Sequence, residues 1–97
     1  MTSNAVILET NLDALLKVNF MYVRAMRQPR LGLYKGASFD NPAGATLVKD
    51  FGGYSESSFN ALKFHVEQDQ TLNDEILHVL IRSVGGWTVW FAFKKAE

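Results

Sequence analysis

The sequence predicts an α+β fold with one long N-terminal helix packed on a curved, mainly antiparallel β-sheet that ends in a β-hairpin. Two observations predict it. Residues 12–28 are apolar on all but a narrow helical stripe, and residues 76–94 contain two apolar and aromatic runs on either side of Gly85 and Gly86. The 97 residues are expected to form a single domain, residues 1–97.

The N-terminal third is predicted to contain an edge strand followed by the long helix. Residues 5–9 are a short apolar run, which suits a strand at the edge of a sheet. Residues 12–28 form the best helix candidate, and Pro29 ends it because proline has no N–H to donate within a helix. Residues 17–27 also alternate like a strand in part, but the second face of that strand would not be consistently polar, so the helix is favoured.

The middle of the chain is predicted to consist of short strands and turns. Five of the seven glycines lie in residues 30–58. Residues 31–34 and 46–51 are short apolar runs that favour strands, and residues 38–44 have the composition of a turn.

The segment that follows is ambiguous between strand and helix. Leu62, Phe64 and Val66 alternate with polar residues, which predicts a strand. Phe59, Leu62 and Val66, spaced three and four residues apart behind Ser55, would also suit a helix. The strand is favoured, and the helix stays open as the alternative.

The Gly85-Gly86 turn sets the expected register of the final hairpin, because a two-residue turn makes Val84 and Trp87 partners. One face would then carry the pairs Arg82–Val89, Leu80–Phe91 and His78–Phe93. The opposite face is expected to be the core, with the members Leu62, Phe64, Val66, Leu77, Val79, Ile81 and Trp90.

The outward face of this sheet is the candidate binding surface. Aromatic rings beside a few ionisable groups are typical of interface cores and of ligand-binding sheets. A dimer interface, or cover by the glycine-rich middle segment, would explain the same pattern. The residues expected to bind are Trp87, Phe91, Phe93, Arg82, His78 and His65.

Catalytic and metal-binding signals are weak. His65 and His78 would be cross-strand neighbours with Glu67 close by, but each histidine stands alone in its strand, without the short spacing of metal ligands. We therefore predict no catalytic residue, no metal site and no cofactor. Arg24, Arg27 and Arg30 form a small basic cluster that complements the dipole of the predicted helix, or that contacts an anion or an acidic partner.

Composition narrows the partners and the location. Ten basic and ten acidic residues cancel, which disfavours nucleic-acid binding. The chain has no cysteine, no basic signal-peptide start and no run of roughly 18 apolar residues, so a cytoplasmic location without membrane contact is expected.

The predicted function is that of a small, non-enzymatic protein-binding protein (an accessory, adaptor or inhibitor protein) that acts through the aromatic sheet face. Self-association to a homodimer or higher oligomer is also expected, because a chain this short has one core to cover two apolar faces. The alternative is a small-molecule-binding or enzymatic domain with a pocket that uses His65, His78, Glu67 and Arg82.

Overall fold

The computed structural model describes residues 3–7, 26–86 and 88–94, and all of the strands in these ranges belong to one sheet. The order across the sheet is β1-β5-β4-β2-β3; β1 runs parallel to β5, and the other neighbours are antiparallel. The strands are β1 (Ser3–Ile7), β2 (Arg30–Lys35), β3 (Thr46–Gly53), β4 (Ile76–Arg82) and β5 (Thr88–Lys94). The predicted α+β class, the antiparallel sheet and the final hairpin are thus confirmed.

The helix of the described chain is α1 (Glu56–Gln68), which lies between β3 and β4. The predicted N-terminal helix over residues 12–28 lies outside the described residues except for its last three, which are not helical. Gln28 has a φ of 46°, a left-handed conformation that no α-helix contains. The fold class is therefore wrong in placing the packed helix at the N-terminus and in making it long, and the sheet is not curled.

Helix α1 replaces the strand that was favoured for the same segment. Ser55 caps it: the Ser58 amide donates to Ser55 Oγ at 3.0 Å, and the Ser55 amide donates to Ser58 Oγ at 2.8 Å. This reciprocal pair satisfies two backbone donors at the start of the helix. Phe59, Leu62 and Val66 are buried on one side, whereas Phe64, placed in the core by the strand interpretation, is 63% exposed. The helical spacing and its cap, not the two-residue alternation, describe this segment.

The register of the β4–β5 hairpin differs by one residue from the expected one. Arg82 pairs with Thr88 and not with Val89, so the connection is longer than a two-residue turn. Val79 consequently pairs with Phe91 and not with Ala92. Because successive side chains of a strand point to opposite faces, a shift of one residue exchanges the two faces of β5. The expected face assignment is right for β4 and wrong for β5.

The hydrophobic core lies between α1 and one face of the sheet. Large apolar side chains of this kind each stabilise the fold by ~1.5–3 kcal/mol on burial, before conformational entropy is subtracted. The cluster consists of Leu31, Leu33, Phe59, Leu62, Val66, Leu72, Leu77, Val79, Ile81, Val89, Phe91 and Phe93. We call the opposite side of the sheet, which carries Arg30, Gly32 and Tyr34 on β2, the outer face.

Candidate functional site

The structure does not bring the six predicted binding residues onto one surface. Phe91 and Phe93 are fully buried in the core cluster. His78 and Arg82 occupy outer-face positions of β4, and His65 lies on α1, on the other side of the sheet. Trp87 lies outside the described residues. Of the five that are described, Arg82 alone is exposed.

His78 is a buried residue of the outer face. It is 0% exposed, and its ring centroid lies 5.5 Å from that of Trp90, which is 5% exposed. Neither imidazole nitrogen has a hydrogen-bond partner among the described residues. Burial lowers the pKa of His78, while the nearby Ala37 backbone acts more weakly in the opposite direction without completing a hydrogen bond. The neutral imidazole is therefore favoured, which suits a packed side chain.

His65 belongs to a separate polar cluster at the end of α1. Its Nε2 lies 3.5 Å from Asp69 Oδ2, and its ring meets Phe51 edge-on at 6.1 Å between centroids. The Thr71 hydroxyl and amide both donate to Asp69, which lowers the pKa of that carboxyl. Since the sheet separates His65 from His78, the four side chains proposed for an enzymatic pocket do not converge.

A groove of about 210 Å³ lies on the outer face, where β2, β3 and β4 run side by side. Its walls combine apolar side chains with two arginines and one carboxylate, and the connection after β4 closes one end. We call it the outer-face groove; its lining residues are Gln28, Arg30, Leu31, Gly32, Tyr34, Leu47, Asp50, Leu80, Arg82, Ser83 and Val84.

The pairing of β2 with β3 brings the groove residues of both strands to the same face. Gly32 pairs with Asp50 and Tyr34 pairs with Leu47. The two pairs are therefore two residues apart along β2 but three residues apart along β3. The register shifts between Leu31 and Gly32 and between Leu33 and Tyr34, as at β-bulges. An extra residue in one strand re-aims the side chains that follow it. The irregular pairing thus places Asp50 and Leu47 on the same side as Arg82 and Leu80.

Two arginines stand next to each other at one end of the groove. Arg30 and Arg82 are directly paired across β2 and β4. Arg30 Nη2 lies 3.4 Å from Asp50 Oδ2, with both side chains more than half exposed. Among the described residues Arg82 has no ion pair. Because like charges directly opposite each other destabilise a sheet, this end of the groove is well suited to a negative group.

Asp50 is oriented by its own backbone. The Gly52 amide donates to Asp50 Oδ1 at 2.9 Å, which leaves Oδ2 turned towards Arg30. This hydrogen bond, and secondarily Arg30, lowers the pKa of Asp50, so the carboxylate form is favoured. The contact with Arg30 is longer than the ~2.7–2.9 Å of a strong charge-assisted hydrogen bond. Asp50 therefore leaves much of the arginine charge available.

The rim of the groove is apolar and held in place. Leu47 and Val84 are 51% and 66% exposed, an unusual exposure for large apolar side chains on two sides of one groove. The Val84 amide donates to the Arg27 carbonyl at 3.0 Å, which ties the hairpin connection to the segment before β2. Gln28, at a positive φ of 46°, lies in this segment. Left-handed backbone at non-glycine residues often marks binding sites.

Most of the groove was missed by sequence reasoning because its residues come from four separate segments. Gly32, Tyr34, Leu47 and Asp50 each look like ordinary strand residues in isolation. Two sequence signals point here: Arg82, one of the predicted binding residues, lines the groove, and so does Arg30 of the basic cluster, whereas Arg24 lies outside the described residues.

Comparison with known proteins adds no assignment. No protein-family model matches the chain, and no curated protein or solved structure is significantly similar to it. Within the part of the chain that the structure describes, no helix combines the length and apolar character needed to cross a membrane. In the same residues, no three histidine, aspartate or glutamate side chains are grouped as metal ligands would be.

Proposed function

We propose that this protein is a non-enzymatic protein-binding domain, of the accessory, adaptor or inhibitor kind, which takes a segment of its partner into the outer-face groove. The observation that carries the proposal is the composition of one end of the groove. Exposed Arg82 lies beside Arg30 there, with exposed Val84 on the rim. Arginine is one of the residue types that dominate the binding energy of interfaces, and exposed apolar side chains beside it are typical of an interaction surface.

The size of the groove favours a protein segment over a small molecule. Its volume is about 210 Å³. Pockets for drug-sized ligands and cofactors occupy ~300–1,000 Å³ and enclose most of the ligand. A shallow groove of the smaller size accommodates side chains from a surface that continues beyond it. This supports protein binding above the small-molecule alternative.

The chemistry of the lining residues also favours binding over catalysis. Among the described residues around the groove, Asp50 is the one carboxylic acid, and none is a histidine. The lowered pKa of Asp50 keeps it charged at neutral pH, so it has no proton to give and is a weak base. A cytoplasmic location remains part of the proposal.

A peptide-display selection tests this function. The wild-type chain is expected to enrich a family of peptides, and the double variant Leu47→Ser, Val84→Ser is expected to lose them. Phe64→Ser is the matched control, because Phe64 is an equally exposed apolar residue on α1, away from the groove. Retention of the same peptides by the double variant, or failure of the wild type to enrich any, would contradict the proposal.

A further inference from the structure

We propose that the outer-face groove recognises an extended, acidic segment, in which a carboxylate side chain lies between Arg30 and Arg82 and an apolar side chain two residues away packs beside Leu80. This inference rests on the proposed function and names the chemistry of the partner. It combines three features of the groove: its unbalanced charge, the spacing of its residues along the strands, and the position of Asp50.

The charge at the end of the groove is positive and incompletely compensated. Cross-strand partners such as Arg30 and Arg82 have β-carbons about 4.5–5.5 Å apart, so one carboxylate is able to contact both guanidinium groups. Asp50 faces only Arg30, at 3.4 Å. An incoming carboxylate would remove the repulsion between the two arginines as well as form new hydrogen bonds. The repulsion thus gives the site a preference for an anion.

The spacing along the groove matches that of an extended peptide. The pair Arg30–Arg82 is followed on the same face by the pair Gly32–Leu80, two residues further along each strand. These two rows lie about 6.7 Å apart, which is also the distance between side chains i and i+2 on one side of an extended chain. Gly32 contributes no side chain and the Tyr34 ring lies over its backbone, so the second row presents Leu80 and that ring to an incoming apolar group.

A peptide carboxylate fits these observations better than a nucleic acid. The rim residues Leu47 and Val84 are apolar and exposed, whereas a phosphate-binding surface is broadly basic. The whole chain has a formal net charge of zero. A positive charge confined to one end of an apolar groove is complementary to an acidic residue followed at short distance by an apolar one.

Asp50 acts in this arrangement as an internal competitor for the partner. Its Oδ1 accepts from the Gly52 amide, which holds Oδ2 near Arg30. The partner's carboxylate has to share Arg30 with Asp50 or displace it. Asp50→Asn retains an oxygen that accepts from Gly52 and removes the competing charge, so it is expected to strengthen binding of an acidic segment.

The test uses ¹⁵N-labelled protein titrated with end-capped peptides and monitored at the amides of Gly32, Tyr34 and Val84. The probe has the sequence Ser-Glu-Ser-Leu-Ser, with Gln for Glu in a second peptide and Leu directly after Glu in a third. Capping removes the terminal carboxylate, so only the side chain supplies the anion. The first peptide is expected to bind about tenfold more tightly than the second and about threefold more tightly than the third.

Arg82→Gln and Lys49→Gln each remove one positive charge, so together they separate local contact from net charge. Arg82→Gln is expected to abolish the preference for Glu over Gln, whereas Asp50→Asn, which removes the competing negative charge, is expected to increase it. Lys49→Gln is expected to leave it unchanged, because Lys49 pairs with the core residue Leu33 and lies over Phe51 on the α1 side of the sheet. Equal effects of Arg82→Gln and Lys49→Gln would overturn the inference.

The two proposals fail in distinguishable ways. If groove-dependent peptides are selected by display but Glu and Gln peptides bind equally, the groove binds protein and the acidic preference is wrong. If display yields no groove-dependent peptide and none of the three probes shifts the groove amides at up to about 5 mM, both the acidic preference and the proposed function are wrong.

Discussion

The ring of Tyr34 lies against the backbone of Gly32, two residues earlier on the same face of β2. A β-carbon at residue 32 would stand 3.1 Å from Tyr34 Cε1, closer than side chains normally approach. An aromatic ring over a strand glycine covers backbone that would otherwise be exposed. The contact fixes where the ring stands at the side of the outer-face groove, and it requires a residue without a side chain at position 32.

Gly32→Ala is expected to leave the protein folded but to weaken binding in the groove. Alanine is favoured over glycine in a strand by ~0.5–1 kcal/mol, which offsets the small displacement of a half-buried ring. The displaced ring and the new methyl group narrow the groove beside Leu80. Urea unfolding is expected to change by less than about 1 kcal/mol, while peptide affinity falls. Unchanged affinity together with unmoved Tyr34 ring signals would show that the ring position does not shape the groove.

The observed hairpin register makes two phenylalanines differ sharply in their contribution to stability. Phe91 is 0% exposed in the core, whereas Phe64 is 63% exposed on α1. Phe91→Ala is expected to lower the free energy of unfolding by about 3–5 kcal/mol, and Phe64→Ala by less than about 0.5 kcal/mol. Urea denaturation of both variants measures the difference. Small and similar losses of stability in both variants would contradict the observed register and support the one in which Phe91 faces outward.

The strands were predictable from sequence, but their faces were not. The apolar runs of β2 to β5 are each long enough to identify a strand. The register of β4 and β5, however, pairs Arg82 with Thr88, and nothing in the pair Gly85-Gly86 indicates a connection longer than two residues. Because β5 is apolar on both faces, its pattern fits either register. The groove is hard to predict for the same reason, because its residues come together only when strands distant in sequence are correctly aligned.

Helix α1 illustrates a second limit of sequence patterns. Leu62 and Val66 belong to both a two-residue and a four-residue spacing, so periodicity alone does not decide between strand and helix. The decisive signal is local: Ser55 and Ser58 form the reciprocal cap at its start. Capping energies of this kind are small, but they fix where a helix begins.

Ser55→Ala is accordingly expected to destabilise the protein by about 1 kcal/mol, because the Ser58 amide then loses its acceptor. Ser57→Ala is the matched control: Ser57 is exposed in the first turn and its hydroxyl lies a longer 3.4 Å from Ser55 Oγ. Thermal unfolding followed by circular dichroism measures both. Equal losses for the two variants would mean that the cap contributes nothing specific.

Because His78 is buried, we expect the free energy of unfolding to fall as the solution becomes acidic. Burial lowers its pKa in the folded state from the ordinary value of 6.5, so the unfolded chain binds the proton first. The associated stability is complete above pH 6.5 and is lost as the pH falls from there towards the folded-state pKa. Urea unfolding between about pH 7.5 and pH 5 measures this loss.

Comparison of the two histidines assigns the effect. His78→Phe is expected to remove the decline below pH 6.5, whereas His65→Gln, which changes the other histidine of the sequence and leaves His78 in place, is expected to keep it. If His78→Phe does not fold, the NMR titration of His78 in the wild type gives its pKa directly. A His78 pKa at or above 6.5 would contradict the prediction.

Self-association stays a prediction, but the structure changes the surface that would produce it. Trp90 and Ala92, two outer-face residues of β5, are already buried within one chain and are not available to a second copy. Among the described strands, β1 and β3 stand at the two edges of the sheet, and β3 carries the exposed Leu47. An unpaired edge is a template for pairing with another chain, although its irregular register and the exposed Lys49 oppose this.

Sedimentation is therefore expected to show a weak dimer whose fraction rises with concentration. Leu47→Lys is expected to reduce this dimer fraction, whereas Phe64→Lys is expected to leave it unchanged. A mass that stays monomeric at all concentrations would refute the prediction, and an equal loss in both variants would move the interface away from β3.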